Sequence, residues 1–306
     1  MNAIALSSTA PIAPLGGTAL AAPSTTAGCA VAGAGTPVVL LHSSLASKSQ
    51  WTPLVLRLAS RYRTLAVDLA GYGDNALPSA SSFALDDEVR SVAAHVDRVA
   101  GRHARVHVVG HSYGGAVALR YAQQFGARIA SVTVFEPVAF GMLDAADPAL
   151  ATFARCVDVV ERAMAAHRYH DATAAFVDFW SGEGSYRGLP LPVQSQLARR
   201  IVKVPLDYRA ARAAPLPADC RSLDVPVLVL GGTRSPAVSQ RIVAALSRTL
   251  RAGRIAWVDG GHLAPLSHAT RVNALIEAFV GACEKQSPAC STRADVTPIA
   301  RPPRAA

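Results

Sequence analysis

Residues 106–115 read VHVVGHSYGG, and this stretch predicts a buried strand that turns sharply into a helix. Its first four residues form an apolar run typical of a strand covered on both faces. Gly110-x-Ser112-x-Gly114 follows, and helical sequence continues to about residue 125. Glycines two positions before and after the serine remove Cβ atoms that would collide with backbone in so tight a turn. The turn therefore presents the Ser112 hydroxyl at a helix N-terminus, where unpaired N–H groups favour negative charge.

Strands and helices alternate on both sides of this turn. Apolar runs predict strands at 38–41, 64–68, 106–109, 131–135, 225–230 and 254–258. Helical spacing of apolar residues predicts helices at 51–58, 85–99, 150–164, 172–180, 193–201 and 271–282. Strands separated by helices imply parallel pairing with right-handed crossovers. We therefore expect an α/β fold in which helices flank both faces of a mostly parallel central sheet.

The chain divides into a core, an insertion and two terminal segments. The insertion carries only helical signals and follows the strand that ends at Phe135, which indicates a helical cap. The terminal segments lack an apolar period, apart from one weak strand near 28–32, and we expect them to be flexible. The predicted segments are 1–35 (flexible, low complexity), 36–139 and 223–283 (α/β core), 140–222 (helical cap) and 284–306 (disordered tail).

The composition argues against several classes of protein. The net charge is +9, but the arginines are scattered and form no Lys/Arg-rich block, which is unlike a nucleic-acid binder. No apolar run approaches the roughly 20 residues of a membrane span. The N-terminus lacks the basic start of a secretory signal, so we expect a soluble, cytoplasmic protein. The five cysteines form no Cys-x-x-Cys pair, and no nucleotide-binding motif is present, so we expect no metal and no cofactor.

At its motifs the chain resembles the α/β-hydrolase superfamily, specifically its capped single-domain serine hydrolases. The resemblance covers roughly residues 35–282. It rests on VVLLH (38–42), DLAGYG (68–73), GHSYGG (110–115), FEP (135–137) and GGH (260–262). The resemblance implies a hydrolase of an ester, thioester, amide or carbon–carbon bond that needs no cofactor. It also implies that the nucleophile, the acid and the histidine follow one another in that order along the chain.

A serine nucleophile needs a general base, and we expect His262 to be that base. It follows an apolar strand and a Gly-Gly turn, which places it at the same edge of the sheet as Ser112. His268 is a rival, but it lies where the last helix begins and fits a surface or capping role. His111 stands beside the nucleophile, and we expect a structural role for it.

The acid is where this sequence departs from the commoner family pattern. Members often carry Asp in a loop where this chain has Ser235. Other members place the acid after the preceding strand, and that position is Glu136. We therefore expect Glu136 to orient His262. The alternative is that Glu136 braces the cap while Ser112 and His262 act as a dyad. Asp259 is too close to His262 in the chain to take the place of Glu136 as the acid.

An oxyanion hole needs two backbone N–H donors. The resemblance implies the N–H groups of Ser44 and of Tyr113. Family members usually have glycine directly after the histidine that ends the first core strand, and this chain has Ser43 there. The resemblance therefore does not determine the geometry of the loop that carries Ser43 and Ser44.

The aromatic residues of the cap predict an apolar pocket above the serine. The residues expected to contact substrate are His42, Phe179 and Trp180. Apolar lining favours a small acyl or aromatic substrate over a sugar. Three functions stay open: hydrolysis of an ester or thioester through an acyl-enzyme on Ser112, hydrolysis of a carbon–carbon bond next to a ketone by the same residues, and non-catalytic ligand binding. The sequence leaves the substrate and the oligomeric state open.

Overall fold

One mixed sheet lies at the centre of the computed structural model, which describes residues 24–26, 28–79, 82–214 and 223–286. Within these residues the strands are β1 (Ser24–Thr26), β2 (Cys29–Ala32), β3 (Pro37–Leu41), β4 (Arg63–Val67), β5 (Val106–His111), β6 (Ile129–Phe135), β7 (Val227–Gly232) and β8 (Gly253–Val258). Their order across the sheet is β1-β2-β4-β3-β5-β6-β7-β8. Neighbours from β4 to β8 are parallel, whereas β1, β2 and β4 pair antiparallel.

Helices connect these strands. The described α-helices are α1 (Thr52–Leu58), α2 (Leu85–Ala100), α3 (Tyr113–Gln124), α4 (Pro148–Ala165), α5 (Tyr169–Ser181), α6 (Leu191–Arg200), α7 (Val204–Ala213), α8 (Ala237–Thr249), α9 (Ala264–Ser267) and α10 (Ala269–Lys285). None of these helices combines the length and the apolar character needed to cross a membrane. The alternation of strand and helix confirms the predicted α/β fold with a mostly parallel sheet.

Alternate residues of β3 belong to two separate hydrophobic clusters. Val38 and Leu40 pack with residues of α1 and α10. Val39 and Leu41 pack in the other cluster, with residues of α2, α3 and α8. All four side chains are fully buried. Helices therefore cover both faces of the sheet, which is why the sequence of this strand is a continuous apolar run.

The turn between β5 and α3 depends on two glycines. A Cβ on Gly110 would lie 2.2 Å from the carbonyl oxygen of Gly114. A Cβ on Gly114 would lie 2.4 Å from the carbonyl oxygens of Leu41 and His42. The first turn of α3 thus packs directly on the backbone at the end of β3, and only glycine permits that approach.

The described chain between β6 and β7 contains helices joined by loops and no strand. This helical insertion, residues 140–214, contains α4, α5, α6 and α7. The first three correspond to the predicted helices at 150–164, 172–180 and 193–201. α4 and α5 extend beyond the predicted bounds at both ends, whereas α6 begins earlier and also ends earlier than predicted. α7 was not predicted, because its buried positions include two alanines and an aspartate and so give a weak apolar period.

The ends of the chain differ in part from the prediction. Most of the segments 1–35 and 284–306 lies outside the described residues, as do residues 215–222 of the predicted cap. Where the N-terminal segment is described, β2 takes the place of the weak strand expected near 28–32, and β1 pairs with it as an unpredicted hairpin. At the other end, α10 continues to Lys285, past the predicted core boundary at residue 283.

The close packing at the turn between β5 and α3 predicts that a single added methyl group there causes a large loss of stability. We expect Gly114→Ala to lower the free energy of unfolding by about 3 kcal/mol, at the upper end of overpacking effects, because the new Cβ meets backbone rather than flexible side chains. Gly126→Ala is the matched control, since no heavy atom lies within 4 Å of a Cβ at that position. Urea unfolding curves measure both changes. Equal stability of the two variants would contradict the proposed packing.

Candidate active site

Ser112 lies at the turn between β5 and α3 in a backbone conformation that L-residues rarely adopt. Its φ is 54° and its ψ is −115°. Hydrogen bonds hold it there: its N–H donates to the carbonyl of Phe135 at 3.0 Å, and its carbonyl accepts from the N–H of Ala116 at 3.1 Å. A strained residue supported in this way is a common feature of functional sites. Ser112 is only 6% exposed, so the hydroxyl is nearly closed off from solvent.

The structure brings the three predicted catalytic side chains together. His262 Nε2 lies 3.0 Å from Ser112 Oγ, and His262 Nδ1 lies 2.7 Å from Glu136 Oε2. The N–H of Gly232 donates to the other carboxyl oxygen, Glu136 Oε1, at 2.6 Å. An ionised carboxylate only accepts, so Nδ1 carries the ring proton and Nε2 presents a lone pair to the serine. This arrangement is that of a general base held by an acid.

Glu136 lies directly after β6, beside the strand that carries the serine. Its φ is 44°, so the acid, like Ser112, occupies the left-handed region, and its N–H donates to the carbonyl of Leu230 at 3.0 Å. Ser235, where the resemblance would place an aspartate, is buried, and its hydroxyl has no hydrogen-bond partner among the described residues. Both carboxyl oxygens of Glu136 are engaged within the site, which argues against the alternative in which it braces the insertion.

A buried chain of hydrogen bonds supports the loop that carries His262. His111 Nε2 donates to the carbonyl of His262 at 2.9 Å, and His111 Nδ1 accepts from Gln50 Nε2 at 3.2 Å. Gln50 Oε1 accepts from both the N–H and the hydroxyl of Ser43, at 3.1 and 3.0 Å. Burial lowers the pKa of His111 well below its ordinary value, so the ring is neutral, as this pattern of one donor and one acceptor requires. His111 thus has the structural placement expected from the sequence.

His42 lies behind the site rather than in it. Its Nε2 accepts from the N–H of Leu69 at 3.0 Å, and its Nδ1 donates to the carbonyl of Ser43 at 2.7 Å. The residue is fully buried, and burial lowers the pKa of its imidazole to about 4. The structure thus departs from the prediction that His42 contacts substrate, because the ring is used to hold two loops together.

A cavity of about 20 Å³ lies against Ser112. Its polar lining residues are Ser44, Ser112, Tyr113, Asp207 and Tyr208, and its apolar ones are Val138, Phe140, Phe153, Phe176, Trp180 and Val204. A space of this size holds about one water molecule, so a substrate enters only if the lining moves. Of the predicted pocket residues Trp180 lies in the lining, whereas Phe179 packs against Trp180 and Phe153.

Trp180 covers the base. Its ring stacks on the imidazole of His262, with ring centroids 4.0 Å apart and planes inclined by 23°. Only 3% of His262 is exposed as a result of this and neighbouring contacts. The stacking fixes the rotation of the imidazole and separates it from bulk solvent.

The two predicted oxyanion-hole residues border the same cavity as the serine. Tyr113 begins α3 directly after Ser112, and Ser44 follows the end of β3. The Ser44 hydroxyl donates to Asp207 Oδ2 at 2.6 Å, so it is directed at the insertion. This leaves the backbone, rather than the hydroxyl, as the contribution of Ser44 to an oxyanion hole.

A second contact ties the insertion to the same loop. The guanidinium of Arg200 donates to the carbonyls of Leu45 and Ala46, at 2.9 and 3.3 Å. Leu45 has a φ of 63°, a left-handed conformation that is costly for a leucine. The insertion therefore holds the loop in a shape that the loop would not favour by itself.

The sequence model of one known family matches most of the chain. The family is described as the Alpha/beta hydrolase family, and its model matches residues 38–275. The chain belongs to the α/β hydrolase family. The match includes all three residues of the Ser112–His262–Glu136 array. Among the described residues of this α/β hydrolase, no group of three or more His, Cys, Asp or Glu side chains is arranged to hold a metal ion.

Curated relatives of this α/β hydrolase match only part of it. A haloalkane dehalogenase from Agrobacterium fabrum is 37% identical over 106 residues, which are 35% of this chain and 34% of the relative. A 2-hydroxy-6-oxo-2,4-heptadienoate hydrolase from Pseudomonas putida is 30% identical over 120 residues, 38% and 43% of the two chains. The aligned region thus spans less than half of either relative.

Likeness to solved structures extends over nearly the whole domain. The enol-lactonase from Burkholderia xenovorans LB400 superposes with a TM-score of 0.65 at 20% sequence identity. The superposition covers 83% of this chain and 95% of the enol-lactonase. At this level of identity the likeness shows a shared α/β hydrolase fold.

Sequence reasoning misses two polar residues beside the α/β hydrolase site. Gln50 lies in a short 3-10 helix, Lys48–Trp51, and nothing in the local pattern marks it as buried. Asp207 follows Lys203 by four residues on a helix, a spacing typical of exposed ion pairs. The apolar neighbours of Asp207, Leu206 and Tyr208, are the one local signal that this aspartate faces inwards.

The buried His42 predicts a pH dependence of folding stability. The unfolded chain binds a proton at this imidazole near pH 6.5, whereas the folded protein does so only near pH 4. Stability from this group is therefore fully present above about pH 6.5 and is lost as the pH falls towards 4, by up to about 1.4 kcal/mol per pH unit. His42→Gln, whose amide can still accept from Leu69, should flatten the curve of unfolding free energy in that window. Urea titrations at a series of pH values measure the slope, and identical slopes in the two proteins would rule this origin out.

Proposed function

We propose that this α/β hydrolase cleaves a small carboxylic ester or thioester through an acyl-enzyme on Ser112. The observation that carries the proposal is the continuous line of hydrogen bonds from Ser112 Oγ to His262, at 3.0 Å, and on to Glu136, at 2.7 Å. A hydroxyl paired with such a base is a nucleophile towards a carbonyl carbon.

The array supports a two-stage reaction. In the first stage, His262 Nε2 takes the Ser112 proton while Oγ bonds to the carbonyl carbon and the carbonyl electrons move to oxygen. The N–H groups of Ser44 and Tyr113 stabilise that oxyanion. The bond to the leaving alcohol or thiol then breaks, and the imidazolium supplies its proton. In the second stage, water gives a proton to His262, attacks the acyl carbon and releases the acid, while the proton returns to Ser112.

The nature of the nucleophile argues against the reaction for which the dehalogenase relative is named. A serine oxygen that displaced halide from an alkyl carbon would become an ether, which water does not readily hydrolyse. An acyl group on the same oxygen is an ester, which activated water removes. Turnover on Ser112 therefore requires a substrate that is attacked at a carbonyl carbon.

The walls of the cavity limit the substrate. The side chains of Phe140, Phe153, Phe176 and Trp180 face the space beside Ser112. Such apolar lining favours an aliphatic or aromatic acyl group. Because the cavity holds about one water, the substrate must displace Trp180 or its neighbours as it enters.

A second candidate is hydrolysis of a carbon–carbon bond next to a ketone by the same three residues. The 30% identity to the heptadienoate hydrolase over 120 residues favours it. The two reactions differ in what they consume: an ester assay measures released acid, and a dienoate assay measures loss of the conjugated chromophore. Turnover of a 2-hydroxy-6-oxodienoate without turnover of any ester would replace the first candidate with the second.

Covalent labelling tests the nucleophile. A fluorophosphonate probe should label the wild-type protein at Ser112, because the paired imidazole activates that hydroxyl, and should not label Ser112→Ala. Ser267→Ala, which removes an exposed serine, is the matched control and should label as wild type does. Intact-mass and peptide mass spectrometry locate the adduct. An unlabelled wild type, or equal labelling of Ser112→Ala, would remove the proposed chemistry.

The acid is tested by Glu136→Gln. The Gly232 N–H requires an acceptor, so the new amide oxygen faces Gly232 and the amide NH2 faces His262 Nδ1. That orientation forces the ring proton onto Nε2, where the base can no longer accept from Ser112. We expect kcat to fall by about 10³- to 10⁴-fold. Asp259→Asn is the control: Asp259 is an exposed carboxylate three residues before His262, and its loss should change kcat little. Turnover by Glu136→Gln at the wild-type rate would exclude the orienting role of Glu136.

A further inference from the structure

A buried ionic cluster lies where the helical insertion meets the core. Lys203 Nζ donates to Asp207 Oδ1 at 2.5 Å and to Glu88 Oε1 at 3.0 Å. Lys203 and Glu88 are fully buried, and Asp207 is 4% exposed. The ring of Phe83 packs against the ammonium, whose nitrogen lies 4.3 Å from the ring centroid. Three charged groups in so enclosed a place are costly unless they serve one another or a ligand.

The cluster contains two carboxyl groups and one ammonium group. Although burial lowers the pKa of Lys203, the carboxylates of Asp207 and Glu88 raise it above its ordinary value. Burial raises the pKa of Glu88 and of Asp207, and at Asp207 the hydrogen bonds from Lys203, Ser44 and Tyr72 oppose that rise by favouring the ionised form. With three donors directed at it, Asp207 acts as an acceptor.

Only one member of this group of three borders the active-site cavity. Asp207 lies in the cavity lining with Ser112, whereas Lys203 and Glu88 are not among the described residues that line it. Glu88 turns its second oxygen, Oε2, to the N–H of Ala70 at 3.0 Å. The cluster therefore presents its charge to a substrate through a single carboxylate.

The hydrogen bonds of Asp207 leave it one acceptor position. Oδ2 accepts from the Ser44 hydroxyl and from the Tyr72 hydroxyl, each at 2.6 Å. Oδ1 accepts from Lys203. A carboxylate offers about four lone-pair positions, two on each oxygen. Counting donors among the described residues, both positions on Oδ2 are used and one position on Oδ1 is left, and Asp207 itself lines the cavity.

We propose that Asp207 is the specificity-determining residue of the acyl site and that its free acceptor position binds a hydroxyl or amino group on the acyl chain. The class of substrate is then a short ester or thioester whose acyl part carries a hydrogen-bond donor. An acyl part that carries a carboxylate is disfavoured, because it brings like charge to Asp207. This inference rests on the ester hydrolysis proposed above and names the substrates of that same site.

A panel of matched ethyl esters tests the proposal. The panel is ethyl butanoate, ethyl 2-hydroxybutanoate, ethyl 3-hydroxybutanoate and the monoethyl ester of succinate, with acid release followed by a pH indicator. In the wild type, kcat/KM for the better hydroxy ester should exceed that for ethyl butanoate by about tenfold or more, as expected for a hydrogen bond to a charged group. The succinate ester should be the poorest of the four.

Two variants that each replace one carboxyl group of the cluster by an amide separate a direct contact from a general effect of the cluster. In Asp207→Asn the two hydroxyl donors hold the amide oxygen, so the preference for the hydroxy ester should fall to about onefold to threefold, and the succinate ester should gain relative to ethyl butanoate. Glu88→Gln changes the other carboxyl group that accepts from the same lysine, at a residue that does not line the cavity, and its hydroxy-to-plain ratio should stay at the wild-type value.

Several outcomes overturn the proposal. The proposal is overturned if the wild type hydrolyses ethyl butanoate as fast as both hydroxy esters. This comparison needs no variant, so it remains valid even if Asp207→Asn fails to fold. A hydroxy-ester preference that survives in Asp207→Asn, or that falls equally in Glu88→Gln, also overturns it. If the wild type hydrolyses no ester of the panel and the fluorophosphonate probe does not label Ser112, the proposed function itself is wrong, and the inference is wrong with it.

Discussion

The backbone contact between the first turn of α3 and the end of β3 is the constraint on which the site depends. With no Cβ at Gly114, the two backbones lie so close that a methyl group there would overlap the carbonyl oxygens of Leu41 and His42. Gly110, on β5, permits the same close approach to the carbonyl oxygen of Gly114. The contact brings the residue after the nucleophile beside the loop that carries Ser44, so that both predicted oxyanion donors border one cavity.

The sheet supports the strain at the active site. Ser112 and Glu136 are both non-glycine residues with positive φ, and each stands directly after or at the end of a parallel strand. In each case the N–H of the strained residue donates to the carbonyl of the next strand, at 3.0 Å, which extends the hydrogen-bond ladder by one residue. Hydrogen bonds of the kind that join the strands thus hold the unfavourable backbone conformations of Ser112 and Glu136.

The sequence allows prediction of those features that leave a local pattern. The core strands are continuous apolar runs, so the fold follows from short stretches of sequence. The glycines on either side of Ser112 mark the turn between β5 and α3, so the position of this serine also follows from a short stretch. Glu136 follows from the resemblance, because some family members place the acid after this strand and this chain has a carboxylate there. His42 and Asp207 are harder to place, since their roles depend on distant contacts: Asp207 meets Ser44, 163 residues away in the chain. No local period records such a contact, and an Ala- and Arg-rich helix such as α7 suggests a surface.

The grip of the helical insertion on the loop after β3 has a consequence for the active site. Arg200 holds the carbonyls of Leu45 and Ala46, and Asp207 holds the hydroxyl of Ser44. A movement of the insertion away from the cavity has to break these bonds or carry the loop with it. The helices that enclose the space beside Ser112 therefore also hold the loop that carries Ser44, so the shape of that loop is tied to the closure of the cavity.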